Sequence, residues 1–256
     1  MIFNHQSGTF AEIDSAKIYY EQIGDPQSQP VIFLHGGFGN IEDFNGMISL
    51  LENKYYIIGI DSRGQGKSTL GSRKLTYERL EKDVSFVIKK LNLKKPVIIG
   101  FSDGGIVALR LACFGEVEVD KLILIGTSWH SKSLESSKNI LSAVTADKWK
   151  EKFPETFNKY QNINPDPAFD KLVKAMVKMW IDEALTGHPD DNVQNINCPT
   201  FIVRGDKDHL ISKISSFELS EKIIGADLAN IPFCGHEVYA EKPNLLMSMV
   251  NEFLKK

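Results

Sequence analysis

The stretch VIIGFSDGGIVALRLA (97–112) decides how this chain is read. Val97 to Gly100 form a short apolar run of the kind that hides both faces in a parallel sheet. From Gly105 onward the pattern is apolar nearly all round, as in a helix wedged against a sheet. Between them stands Ser102, with Gly100 two residues before it and Gly104 two after. A strand turning this sharply into a helix leaves no room for side chains on either flank, and it holds the serine out at the tip. The helix N-terminus behind the serine offers unpaired N–H groups to a developing negative charge. Ser102 therefore reads as a nucleophile.

Working outward, VIFL (31–34), YIIGI (56–60), LILIG (122–126) and FIV (201–203) repeat the apolar-run pattern, and 227–231 is also strand-like. Helical patterns separate them. Leu80, Val84, Val87, Ile88 and Leu91 share one stripe of 76–91, and Leu245, Leu246, Met249, Val250 and Phe253 make another near the end. The expected fold class is α/β: a mostly parallel central sheet of about eight strands, flanked by helices and joined by right-handed crossovers.

The alternation breaks between Gly126 and Thr200, where no good strand appears and helical pieces do, including 168–185 with Phe169, Leu172, Met176 and Met179 on one side. A structureless loop of that length is implausible in a compact domain. Residues 128–196 are thus expected to form a helical cap, inserted into a core domain of 1–127 and 197–256. All the tryptophans (Trp129, Trp149 and Trp180) fall in this insertion. Packing accounts for most of them, since aromatics bury area first. Trp129 and Trp180 also stand as candidate pocket walls.

Composition narrows the classes. The 256 residues are 42% apolar and 25% charged with a net charge of -3, which allows a sizeable core and lacks the basic footprint of a nucleic-acid binder. The apolar runs are far shorter than a membrane span, and the N-terminus has no secretory pattern. Cys113, Cys198 and Cys234 are odd in number and lack metal-ligand spacing, so they read as reduced thiols in a cytoplasmic protein. GQGKST (64–69) is not a phosphate loop, because Asp61 stands where the first glycine belongs. Neither a metal nor an organic cofactor is expected, and the expected partner is a small molecule, with no nucleic acid and no membrane.

A serine hydroxyl needs a base beside it, and the base needs an orienting acid. His236, in IPFCGHEVYAEKP (231–243), follows the last strand-like segment and precedes the last helix, so it alone among the histidines folds back over the sheet end. For the acid, FIVRGDKDHLI (201–211) offers two carboxylates. Asp206 directly follows Gly205 and suits the turn itself. Asp208, two residues further, is the expected partner of the imidazole. The oxyanion donors are expected to be the backbone N–H of Asp103 and that of Gly37 in HGGFG (35–39), with Phe38 close behind.

HGG, DSRGQGKS, GFSDGG, GDKD and CGHEVYAEKP occur in an order that resembles the α/β-hydrolase superfamily over practically the whole chain. The likeness implies that fold, places Ser102, Asp208 and His236 on the family's triad positions, and makes 61–68 a structural loop. Asp103 after the serine, with HGGFGNIEDF (35–44) and GDKDHLI (205–211), resembles the valacyclovir-hydrolase-like branch, which cleaves esters of α-amino acids. Independently of that likeness, a carboxylate beside the nucleophile attracts an ammonium group next to the scissile carbonyl. Its plainer role is an acidic residue in a helix's first turn, worth about 0.3–1 kcal/mol. Asp103 and Phe38 join the two tryptophans as candidate substrate contacts. The expected function is a serine hydrolase cleaving small carboxylic esters through an acyl-enzyme. Amino-acyl ester hydrolase, proline-type aminopeptidase, C–C hydrolase and cofactor-free perhydrolase are the neighbouring activities, and a small-ligand sensor is the non-enzyme alternative.

Overall fold

The structure, a computed structural model, describes residues 2–49, 51, 54–115 and 117–256. Its strands are β1 (Thr9–Ile13), β2 (Ala16–Ile23), β3 (Pro30–Leu34), β4 (Tyr56–Ile60), β5 (Val97–Phe101), β6 (Lys121–Ile125), β7 (Thr200–Gly205) and β8 (Asp227–Ile231). They form one sheet in the order β1-β2-β4-β3-β5-β6-β7-β8. The β1–β2 and β2–β4 pairs are antiparallel and all the others parallel.

The helices are α1 (Asn45–Ile48), α2 (Tyr77–Lys90), α3 (Asp103–Phe114), α4 (Glu135–Ser142), α5 (Ala146–Lys152), α6 (Pro154–Ile163), α7 (Phe169–Trp180), α8 (Lys213–Lys222), α9 (Val238–Glu241) and α10 (Pro243–Leu254). The continuous apolar runs have a direct cause. In β3, Val31 and Phe33 pack with α1, α9 and α10, while Ile32 and Leu34 pack with α2, α3 and the inserted helices. Both faces of each central strand are covered, so neither alternate position tolerates a polar side chain. Thr76 starts α2 by accepting the Arg79 N–H, and Leu80, Val84, Val87 and Ile88 carry that helix onto the sheet.

Register aligns the functional rim. Leu34 stands opposite Ile60 and Gly100, and Phe101 opposite Ile125. The loops after β3, β4, β5 and β6 therefore rise together from the carboxyl ends of parallel strands, where open α/β sheets bind ligands.

Between β6 and β7 the described chain has no strand, and α4 to α7 make up the inserted segment. Arg110 of α3 anchors it, donating through Nη1 to the carbonyls of Leu185 (3.0 Å) and Gly187 (2.8 Å) while Nε meets Glu81 at 2.8 Å. Asn164 donates to the Gly66 and Ser68 carbonyls at 2.8 and 3.0 Å. Helix α7 buries Phe169, Leu172, Met176 and Met179 but stops at Trp180, short of the 185 expected from periodicity. Asp182 ends it: its carboxylate accepts the Ala184 N–H and the Thr186 hydroxyl, each at 3.1 Å, and folds the chain into a turn. Among the described residues no helix is long and apolar enough to cross a membrane.

Candidate active site

Ser102 joins β5 to α3 with φ +51° and ψ −115°, a strained conformation of a kind that costs about 1–3 kcal/mol. Its N–H donates to the Ile125 carbonyl at 2.9 Å, which pins the turn to β6. The flanking glycines are there for space. A Cβ on Gly100 would sit 2.5 Å from the Gly104 carbonyl oxygen, and one on Gly104 would sit 2.1 Å from that of Leu34.

The loop after β8 brings His236 to this serine from 134 residues away, with Nε2 at 3.1 Å from Ser102 Oγ. His236 Nδ1 lies 2.8 Å from Asp208 Oδ2, and Asp208 Oδ1 accepts the N–H groups of Leu210 (2.9 Å) and Ile211 (3.0 Å). Burial works to raise the Asp208 pKa, but His236 and those backbone donors outweigh it and hold the carboxyl below the usual aspartate range. An ionised carboxylate only accepts, so Nδ1 carries the imidazole proton and Nε2 is left to accept from the serine hydroxyl. The two loops are fastened together: the Lys207 N–H donates to the Cys234 carbonyl and the Asp206 N–H to that of Ile231. The Asp206 side chain turns instead to Lys213 and Asn230.

The loop after β3 passes against this elbow, so that a Cβ on Gly36 would lie 3.2 Å from Ser102 Cβ. Among the described residues, no backbone hydrogen bond engages the N–H of Gly37, Phe38 or Asp103. His35 stiffens the loop. Its Nε2 accepts the Ser62 N–H at 2.9 Å, so the proton is on Nδ1, which donates to the Gly36 carbonyl at 2.7 Å. The 61–68 loop is held in turn by buried Asp61, which accepts from the N–H groups of Ile41 and Lys67. His5 bridges Asp61 and Glu42 at 2.8 and 2.6 Å. Burial opposes charge on this imidazole, yet the two carboxylates raise its pKa above the ordinary histidine value. Sequence reasoning missed the parts played by His5 and His35; their only signal was polar placement in otherwise tightly packed segments.

Asp103, a candidate substrate contact with a plainer role in the first turn of its helix, has internal partners. Its side chain is buried, and its oxygens accept the Tyr77 hydroxyl at 2.7 Å and the Trp180 indole N–H at 2.9 and 3.1 Å. Burial pushes this carboxyl above the usual aspartate range, against the pull of Trp180, Tyr77, His35 and His236. The carboxylate is therefore engaged by the protein itself, joining α3 to α2 and to α7. Trp180 serves this junction. Trp129 lies elsewhere: its indole N–H donates to the Ser215 carbonyl at 2.9 Å, and it lines a separate pocket with His130 and Ser212 rather than the cavity that Phe38 borders. Phe38 does line that cavity, packed on Trp149, Phe169 and Trp180.

The cavity, about 310 Å³, lies between the inserted helices α5 to α7 and the Gly36–Asn40 loop, and its lining reaches Phe101, Glu237 and Tyr239, near neighbours in sequence of Ser102 and His236. Two polar atoms of its lining residues, Gln65 Oε1 and Trp149 Nε1, are buried without a hydrogen-bond partner. Among the described residues no cluster of three or more histidine, cysteine, aspartate or glutamate side chains is placed to hold a metal.

A strained serine at a strand–helix turn on this sheet is the hallmark of one class, and the chain belongs to it: the family model described as the alpha/beta hydrolase fold matches residues 29–168. A protein of Haemophilus influenzae provisionally named an esterase/lipase is 28% identical, over 93% of this chain and 87% of its own. Human serine hydrolase BPHL is 25% identical, over 95% of this chain and 84% of its own. Among solved structures, the esterase EaEST from Exiguobacterium antarcticum superposes with a TM-score of 0.78 at 26% identity, covering 97% of this chain and 100% of that one.

Proposed function

We propose that this hydrolase cleaves small carboxylic esters through an acyl-enzyme. The observation that carries the reading is the unbroken run of contacts from Ser102 Oγ to His236 Nε2 and from His236 Nδ1 to Asp208. Ser102 Oγ attacks the ester carbonyl as its proton passes to His236 Nε2. The oxygen turned negative is held by the Asp103 N–H and by that of Gly37, with Phe38 adjoining; each donor is typically worth roughly 3 kcal/mol in the transition state. The imidazolium, stabilised by Asp208, returns its proton to the departing alcohol oxygen as the carbon–oxygen bond breaks. Water, deprotonated by the same nitrogen, then attacks the acyl carbon and frees Ser102 and the acid.

The names of the Haemophilus and Exiguobacterium relatives favour ester substrates. A cavity of about 310 Å³ favours short acyl and alcohol groups over long fatty chains. The test is covalent labelling with a fluorophosphonate, alongside turnover of p-nitrophenyl esters of increasing acyl length. Labelling abolished by Ser102→Ala, with the shortest acyl groups cleaved fastest, is the expected result. No labelling and no turnover would favour a ligand sensor on the same scaffold.

A further inference from the structure

Several acceptors of the cavity lining lack a full set of donors. Gln65, on the loop after β4, is 1% exposed and lines the wall, yet its Oε1 meets no donor. Its Nε2 rests on the Met176 thioether at 3.6 Å, a weak contact that leaves the amide free to turn its carbonyl toward a ligand. Asp43 lines the same cavity. Its Oδ2 accepts the Asn40 N–H at 3.0 Å, and among the described residues no hydrogen bond reaches Oδ1. Glu237, exposed and next to His236, adds a second carboxylate to the lining. The lining cation, Lys159, is turned to Glu42 at 3.1 Å and gives Asp43 only a longer-range attraction. Burial, with some repulsion from Asp61, raises the Asp43 pKa in spite of the attraction of His35 and Lys159 and the Asn40 N–H. The cap supplies aromatic faces across the cavity, Trp149 and Tyr160 among them, and such faces attract cations.

The position relative to His236 says which half of a substrate meets these acceptors. Glu237 and Tyr239 of the lining lie one and three residues after His236, and Phe101 of the same lining packs on the imidazole with ring centroids 4.9 Å apart; the imidazole delivers its proton to the leaving oxygen. The group beyond that oxygen therefore enters here. On the esterase reading above, we propose that the preferred leaving group carries a protonated amine: the substrates are esters of amino alcohols, with the ammonium N–H on Gln65 and its charge opposite Asp43 and Glu237. This is a separate place from the buried Asp103 carboxylate, whose donors are internal.

The experiment compares kcat/KM for 2-(dimethylamino)ethyl acetate, in its protonated form, with that for 3-methylbutyl acetate, which has the same shape and no charge. The wild-type enzyme is expected to favour the ammonium ester by about tenfold or more, as a partly desolvated charge contact allows. Gln65→Met and Asp43→Asn are each expected to bring that ratio toward one. A wild-type ratio of one or below, or a ratio unmoved by both substitutions, overturns the proposal. Where either variant fails to fold, inhibition of wild-type p-nitrophenyl acetate hydrolysis decides: 2-(dimethylamino)ethanol must inhibit more strongly than 3-methylbutanol, and equal or weaker inhibition overturns it. Fluorophosphonate labelling of Ser102 with no ammonium preference sinks the amine subsite alone. Absence of labelling and of turnover of every ester sinks the esterase reading and this proposal with it.

Discussion

Replacing Asp103 by alanine separates two roles for the carboxylate beside the nucleophile. If it served as a free anchor for a substrate ammonium group, its loss would harm only amino-acyl esters. In the structure it is 6% exposed, and its donors Tyr77 and Trp180 are 1% and 7% exposed. Alanine leaves a hydroxyl and an indole N–H buried without an acceptor. Each such orphan costs about 1–3 kcal/mol. Against this, the variant no longer buries a carboxylate whose ionised form is already disfavoured, so the net destabilisation should be roughly 2–4 kcal/mol. Urea unfolding, followed by tryptophan fluorescence and extrapolated to water, measures it. Alongside, kcat/KM is measured for an acetyl and an amino-acyl ester of the same alcohol. Both should fall by a similar factor, because the elbow and the cap helix shift for either substrate. Asp103→Asn keeps the shape and one acceptor oxygen, and should recover most of the stability. Unchanged stability with a loss confined to the amino-acyl ester would refute the reasoning.

Asp208→Asn should lower kcat by about 10³–10⁴ with little change in KM, since a neutral amide neither fixes the Nδ1–H tautomer of His236 nor stabilises its imidazolium; steady-state kinetics showing less than a tenfold loss would contradict the assignment. His5, whose folded pKa is raised, contributes stability that is fully present below its unfolded value near 6.5 and is lost as pH rises through the folded value. The stability gap between wild type and His5→Ala in urea unfolding should therefore narrow from pH 6 to pH 9, a window that keeps Glu42 ionised because its own pKa is lowered; a gap independent of pH would remove the imidazolium from the account.

The parts of this molecule legible in the sequence are those written locally. A strand buried on both faces declares itself in four or five consecutive residues, and the elbow in five more, because the steric demand at Gly100 and Gly104 acts across one turn. The placement of His236 followed from chain order alone, since a residue between the last strand and the last helix has one rim to reach. Asp208 could be preferred over Asp206 by loop reach, but that Asp206 turns to Lys213 and Asn230 depends on contacts no spacing rule encodes. Partners remote in sequence stayed hidden for the same reason. His5 meets Asp61 across 56 residues, and Asp103 meets Trp180 across 77. The three tryptophans look alike in sequence, yet one bonds Ser215, one lines the cavity and one holds the elbow.

That last contact bears on how the oxyanion site is built. Gly37, on the loop after β3, lies so close to the junction that a Cβ there would stand 2.9 Å from both Asp103 Oδ2 and the Trp180 ring. The two expected oxyanion donors, the N–H groups of Gly37 and Asp103, thus belong to residues packed against one buried knot, which Trp180 of α7 and Tyr77 of α2 close by hydrogen bonds to the Asp103 carboxylate. Rigid donors stabilise a transition state more than mobile ones because they need no reorganisation as charge develops. Helix α7 therefore does more than line the cavity: through Trp180 it bears directly on the residue that follows Ser102. Substitutions in α7 far from any substrate should disturb kcat as well as KM, provided they move the indole away from Asp103.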